Sequence, residues 1–147
     1  MATKKTGVKT KASKGKGFTE FEKGAMRERV RELQSDGGLG EAELLAKIAE
    51  MEPSDRAIAE KIHAVVKATA PSLASTTWYG MPAYAKNGKA VCFFKPAKKF
   101  KARYATFGFN DSAKLDDGSM WPVEYAIQRV TATEEAKIRA LVKKAGG

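Results

Sequence analysis

The 147-residue chain has a single histidine, His63, and a single cysteine, Cys92. Metal and nucleophilic centres need convergent partners, and one histidine supports neither a Ser-His relay nor a zinc-histidine cluster. The Gly-rich phosphate loop, the dinucleotide fingerprint, the Gly-x-Ser-x-Gly elbow and His-Glu-x-x-His are all missing from the sequence. A Cys92–His63 pair would need a strand thiol and a helix imidazole to meet beside an open cleft. Cysteine in an alanine-rich strand ordinarily fills core instead. Asp116-Asp117-Gly118 invites a cation, but it lacks the alternating oxygen ligands and closing glutamate of a calcium loop and reads as an Asp-Gly turn.

Two constellations point to binding rather than bond chemistry. The first is basic: Lys98, Lys99, Lys101 and Arg103 surround Phe100, so ammonium groups that hold phosphates flank a ring that could stack on a base. The same lysines would also guard a sheet edge against strand addition. The second is aromatic: Trp78, Tyr79, Met81, Tyr84 and Trp121, with Met120 beside them, could line an apolar ligand pocket or plug the sheet against its helices.

Both constellations need a sheet to hold them, and the clearest sheet signal is Asn87-Gly88. A type I′ turn requires positive φ at both central residues, which Asn and Gly tolerate. A two-residue turn would pair Lys86 with Lys89, Ala85 with Ala90, Tyr84 with Val91 and Ala83 with Cys92. Tyr84, Val91 and Phe93 would then share one face, leaving Ala83, Ala85, Ala90 and Cys92 as a small face for a closely packed helix. Pro82 belongs at a strand start or a sheet edge. A further strand over Tyr104–Phe109 would carry Arg103, Ala105 and Phe107 on one face, joined by Phe109 unless Gly108 forms a bulge. Tyr125–Val130 alternates as a last strand.

Helices flank these strands. Thr19 with Glu22 forms a capping-box pattern before Phe21, Met26, Val30 and Leu33, and Asp36-Gly37-Gly38 stops that helix. A second helix from about Glu41 shows Leu44, Leu45, Ile48 and Met51 until Pro53 interrupts it. Ser54 or Asp55 would cap a third, whose stripe is Ile58, Ile62, Val65, Val66 and Thr69, with His63 at its edge and Pro71 at its end. Thr131 and Glu134 repeat the capping box ahead of Ile138, Leu141, Val142 and Ala145. The fold class expected is α+β, with N-terminal helices and a C-terminal helix packed on one small antiparallel sheet.

The net charge of +10 is unevenly spread, since six of the excess positive charges are lysines within residues 1–17. That segment has no acid and no aromatic residue and reads as a disordered basic tail, ahead of a single domain over residues 18–147. Such a tail could draw in nucleic acid or serve only as a solubilising leader. Within the domain, residues 18–70 are mildly acidic and residues 71–114 strongly basic. There is no run of 18 apolar residues and no apolar leader, so the expected setting is cytoplasmic, with no membrane partner.

Trp78-Tyr79-Gly80-Met81-Pro82-Ala83-Tyr84, followed by Gly88-Lys89-Ala90-Val91-Cys92-Phe93-Phe94, resembles the YdhG-like domain-of-unknown-function family of small bacterial proteins. The likeness runs on through Phe100–Phe109 and Leu115–Gly118 and covers about residues 54–145. It implies an α+β domain, cytoplasmic and without an established enzyme activity. Part of that family is described as frataxin-like iron chaperones that hand iron to iron–sulfur or haem assembly proteins, so the resemblance also implies iron as a cargo. A hard iron ion would want clustered carboxylates. The candidates are Glu41, Glu43, Glu50, Glu52, Asp55 and Glu60, scattered over two helices and interleaved with Lys47, Arg56 and Lys61, and the site singled out is Glu50, Glu52 and Asp55. Three readings follow: a non-enzymatic binding or carrier domain, a nucleic-acid-associated protein using the tail and Lys98–Arg103, and a small-molecule enzyme at the Trp78/Trp121 region.

Overall fold

The computed structural model describes residues 19–34 and 40–146. Four helices and five strands follow one another as α1 Glu20–Gln34, α2 Gly40–Ala49, α3 Pro53–Thr69, β1 Ala74–Trp78, β2 Met81–Lys86, β3 Lys89–Lys95, β4 Ala105–Phe109, β5 Glu124–Ile127 and α4 Ala132–Ala145. The strands form one antiparallel sheet in sequence order, β1-β2-β3-β4-β5. The fold is α+β, as the residue patterns indicate.

Local chemistry explains most boundaries. At the start of α1 the Thr19 amide donates to Glu22 Oε1 at 2.8 Å, and the Glu22 amide donates to Thr19 Oγ1 at 3.1 Å, a reciprocal capping box. Thr131 and Glu134 do the same for α4. The cap of α3 differs from expectation. Glu52 occupies the N-cap position without a side-chain cap bond, Pro53 supplies the fixed φ of the first helical position, and Asp55 sits inside the first turn. The Asp55 carboxylate is therefore available elsewhere, and its Oδ2 accepts from the Lys98 amide at 2.9 Å.

The main core lies on one face of the sheet. Leu44 and Ile48 of α2, Ile58, Ile62, Val65 and Val66 of α3, and Ile138 and Val142 of α4 pack there against Tyr84, Cys92, Phe94, Phe107 and Phe109. On β4, Ala105, Phe107 and Phe109 share that face and the pairing with β3 runs through Gly108 without a bulge. Gly108 is required for a different reason: a Cβ there would stand 2.4 Å from Phe93 Cζ.

The Asn87-Gly88 turn has positive φ at both residues (53° and 78°), and the pairs Lys86–Lys89 and Ala85–Ala90 form as expected. Beyond them the register corrects the simple ladder. A bulge between Tyr84 and Ala85 shifts the pairing so that Tyr84 faces Cys92 and Ala83 faces Phe93. The helix-covered side therefore carries Tyr84, Cys92 and Phe94 rather than a sheet of alanines, and Ala83 and Phe93 move to the opposite side with Met81.

The face of α1 is a second correction. Met26, Val30 and Leu33, expected inside, are 43%, 53% and 67% exposed, whereas Ala25 and Glu32 are buried. The Asp36-Gly37-Gly38 stop and the basic tail lie outside the described residues. Among the described residues, no helix is long and apolar enough to cross a membrane.

Candidate functional site

The site is organised by a second hairpin turn, Tyr79-Gly80, joining β1 to β2. Trp78 pairs with Met81, which leaves two residues between them, and both have positive φ (54° and 78°). Left-handed backbone is costly for tyrosine, so the turn needs outside support. Glu32 of α1 supplies it. Its carboxylate, 5% exposed, accepts from the Tyr79 amide at 2.7 Å, the Gly80 amide at 2.9 Å and Thr77 Oγ1 at 2.7 Å, with Arg29 at 3.5 Å. An anion that accepts two adjacent amides fixes the turn as a charge-assisted clamp.

On one side of this turn the sheet presents an open aromatic trough of about 390 Å³. Trp78, Tyr79, Met81, Phe93 and Phe100 line it, with Ala25 and Met26 from α1 and Lys95 at its end. Trp78 stacks edge-on to Tyr79 (4.8 Å between centroids) and tilted against Phe93 (5.0 Å). Lys95 Nζ, on the trough wall, lies 5.3 Å from the Phe100 ring, Arg29 flanks the trough 5.4 Å from the Tyr79 ring, and the carboxylates of Glu22 and Glu124 also line it. Trp78, Tyr79 and Phe100 are each only partly buried, so ring surface is available to a ligand.

The expected aromatic constellation therefore divides. Trp78, Tyr79 and Met81 come together in the trough. Trp121 packs, partly buried, against the main core instead, and Met120 is 89% exposed. Tyr84 is buried on the helix side, where its hydroxyl meets His63 Nδ1 at 2.9 Å while His63 Nε2 meets Glu41 at 2.8 Å. Burial is the main cause that raises the Tyr84 phenol above its ordinary value. The imidazole thus satisfies a core hydroxyl and links it to a surface carboxylate. Cys92 is buried near that phenol, and burial pushes its thiol up to about 12, so no reactive Cys92–His63 pair forms.

On the other side of the turn is a half-open pocket of about 240 Å³. It collects Glu50, Glu52 and Asp55 from the α2–α3 junction and Lys98 and Lys99 from the β3–β4 loop, with Lys47, Met51, Phe21, Gly80 and Pro96. The three carboxylates singled out for a hard cation thus share a pocket with three lysines. Among the described residues no group of three or more His, Cys, Asp or Glu is placed to hold a metal ion. Lys99 is held below its ordinary value, first by burial and then by repulsion from Lys47.

The expected basic patch also divides. Lys98 and Lys99 line the pocket, Lys101 covers Phe21, and Arg103 stacks on Tyr104 at 5.0 Å, beside a separate groove along β5. Lys95 was in neither set of candidates, although alternation from Phe93 puts it on the trough face. Glu32 was not a candidate either, since it is one of four acids on α1 and nothing local marks it as buried. No family model, curated protein or solved structure matches the chain.

Proposed function

We propose that the domain is a non-enzymatic binding protein whose ligand lies in the trough of Trp78, Tyr79, Met81, Phe93 and Phe100, and that single-stranded nucleic acid, down to a single nucleotide unit, is the ligand class. The observation that carries this reading is the pairing of partly exposed rings with a cationic rim at Lys95, flanked by Arg29, on a sheet face that the main-core helices leave open. Bases offer flat surfaces to such rings and phosphates offer charge to such a rim, and each stacked base contributes about 1–3 kcal/mol. The lysine-rich residues 1–17 would add non-specific attraction and salt dependence. Membership of the YdhG-like family is part of the proposal and rests on the Trp78–Tyr84 signature. Iron delivery has weaker support, because Glu50, Glu52 and Asp55 lie among Lys47, Lys98 and Lys99.

The test is anisotropy of a labelled short single-stranded oligonucleotide on the full chain. Phe100→Ala should weaken binding about 5- to 150-fold. Lys95→Ala should lower the slope of log affinity against log salt by about 0.7. If Phe100→Ala and Trp78→Ala both bind like the parent chain, the trough is not the site.

A further inference from the structure

A carboxylate shares the trough wall with the aromatic rings, and the strand register places it there. Ala83 of β2 faces Phe93 of β3, Phe93 faces Gly108 of β4, and Gly108 faces Glu124 of β5. Residues directly opposite one another project from the same face of a sheet, so Phe93 and Glu124 share the open face, and both line the trough with Trp78 and Phe100. Gly108 puts no side chain between them. The Phe93 ring occupies that space, since a Cβ on Gly108 would lie within 2.9 Å of three of its atoms. Glu124 therefore starts one strand beyond the end of the ring, about 4.8 Å further on. Lys95, two residues along β3 from Phe93, supplies the cation on the same face.

The second acid on the wall, Glu22, is committed to the α1 cap through the Thr19 amide. Glu124 is exposed and makes no hydrogen bond or ion pair among the described residues. An ionised carboxylate only accepts, and it repels phosphate, so the part of a nucleotide that suits it is a base edge carrying donors. Among the DNA bases guanine alone sets two donors side by side, N1–H and N2–H, at the spacing of two carboxylate oxygens. Cytosine and adenine each set one amino donor beside a ring-nitrogen acceptor, and the N3–H of thymine lies between two carbonyls; those acceptors would be repelled. We propose that Glu124 makes the trough selective for guanine, accepting from N1–H and N2–H while the purine stacks on the trough rings. This rests on the trough being the nucleic-acid site and adds the base that is read there.

The test is anisotropy on the full chain with single-stranded thymine pentamers that differ only in the central base. Guanine at the centre should bind about 5- to 150-fold more tightly than adenine, cytosine or thymine. Hypoxanthine, which is guanine without the N2 amino group, should lose most of that advantage. Glu124→Gln, an exposed change at the start of β5, replaces one acceptor with a donor and should bring the ratio of guanine to thymine affinity toward one. The proposal is overturned, with the trough reading left standing, if the pentamers bind without preference for guanine, if hypoxanthine matches guanine, or if the preference survives in Glu124→Gln. Absence of binding by every pentamer overturns both.

Discussion

Replacing Glu32 with alanine should be among the most damaging single changes on α1, although the position looks like an ordinary helix-surface acid. Its carboxylate accepts from the amides of Tyr79 and Gly80 and from the Thr77 hydroxyl, at 2.7 to 2.9 Å. Alanine would strand three donors, two of them in buried surroundings, at a turn whose tyrosine already occupies left-handed backbone. Stranded buried donors cost about 1–3 kcal/mol each, and breaking a buried charged contact costs about 3–5 kcal/mol altogether. We therefore expect a loss of about 3–5 kcal/mol in urea unfolding, with an unchanged slope, and a melting temperature lower by about 6–20 °C. Glu32→Gln keeps the size and one acceptor oxygen, so about 1–2 kcal/mol should go. In a double-mutant cycle with Thr77→Val, the coupling should fall in the range of about 0.5–3 kcal/mol. A loss below about 1 kcal/mol for Glu32→Ala, together with zero coupling to Thr77, would refute the idea that this carboxylate holds the turn.

Gly108→Ala would drive a methyl into the Phe93 ring and should destabilise by about 1–3 kcal/mol on equilibrium unfolding, with the near-ultraviolet spectrum altered as the ring shifts toward the trough. Tyr84→Phe removes the hydroxyl that meets His63 Nδ1 and should cost about 1 kcal/mol by the same measurement. The His63 hydrogen bond holds the Glu41 carboxyl below its ordinary value of 4.5, so its stabilising effect is complete above that pH and fades as pH falls through the lowered value. Unfolding of His63→Phe followed across this acid range should accordingly show a shallower fall than the parent. The Cys92 thiol, pushed up to about 12, should resist an aromatic disulfide reagent at neutral pH until the chain is unfolded; reaction at the rate of a free thiol in the folded protein would contradict its burial.

What the sequence shows well is local chemistry with a fixed stereochemical demand. Asn87-Gly88 gives its turn because positive φ is required there, and Thr19–Glu22 and Thr131–Glu134 give their caps because the partners are three residues apart. Tertiary choices are less visible. The bulge at Tyr84 slides one strand by a residue and exchanges which side chains meet the helices, a change that composition cannot register because both faces are apolar. The same holds for α1: Met26, Val30 and Leu33 make the more hydrophobic stripe, but three donors at one turn select the Glu32 side for burial. Of the candidate sites, Trp78, Tyr79 and Met81 were legible as a unit because the turn keeps them together. Trp121 was separated from them because the long loop before β5 carries it to the main core. The meeting of Glu50, Glu52 and Asp55 with Lys98 and Lys99 joins segments more than 40 residues apart, as the Asp55–Lys98 bond illustrates.

The most direct test of the trough is the fluorescence of Trp78 in a Trp121→Phe background, titrated with a short single-stranded oligonucleotide on the full chain. Saturable quenching or a spectral shift of Trp78 should follow the binding curve and be lost in Phe100→Ala. Binding by anisotropy with no change at Trp78 would mean that nucleic acid is held elsewhere, and would contradict the proposed site.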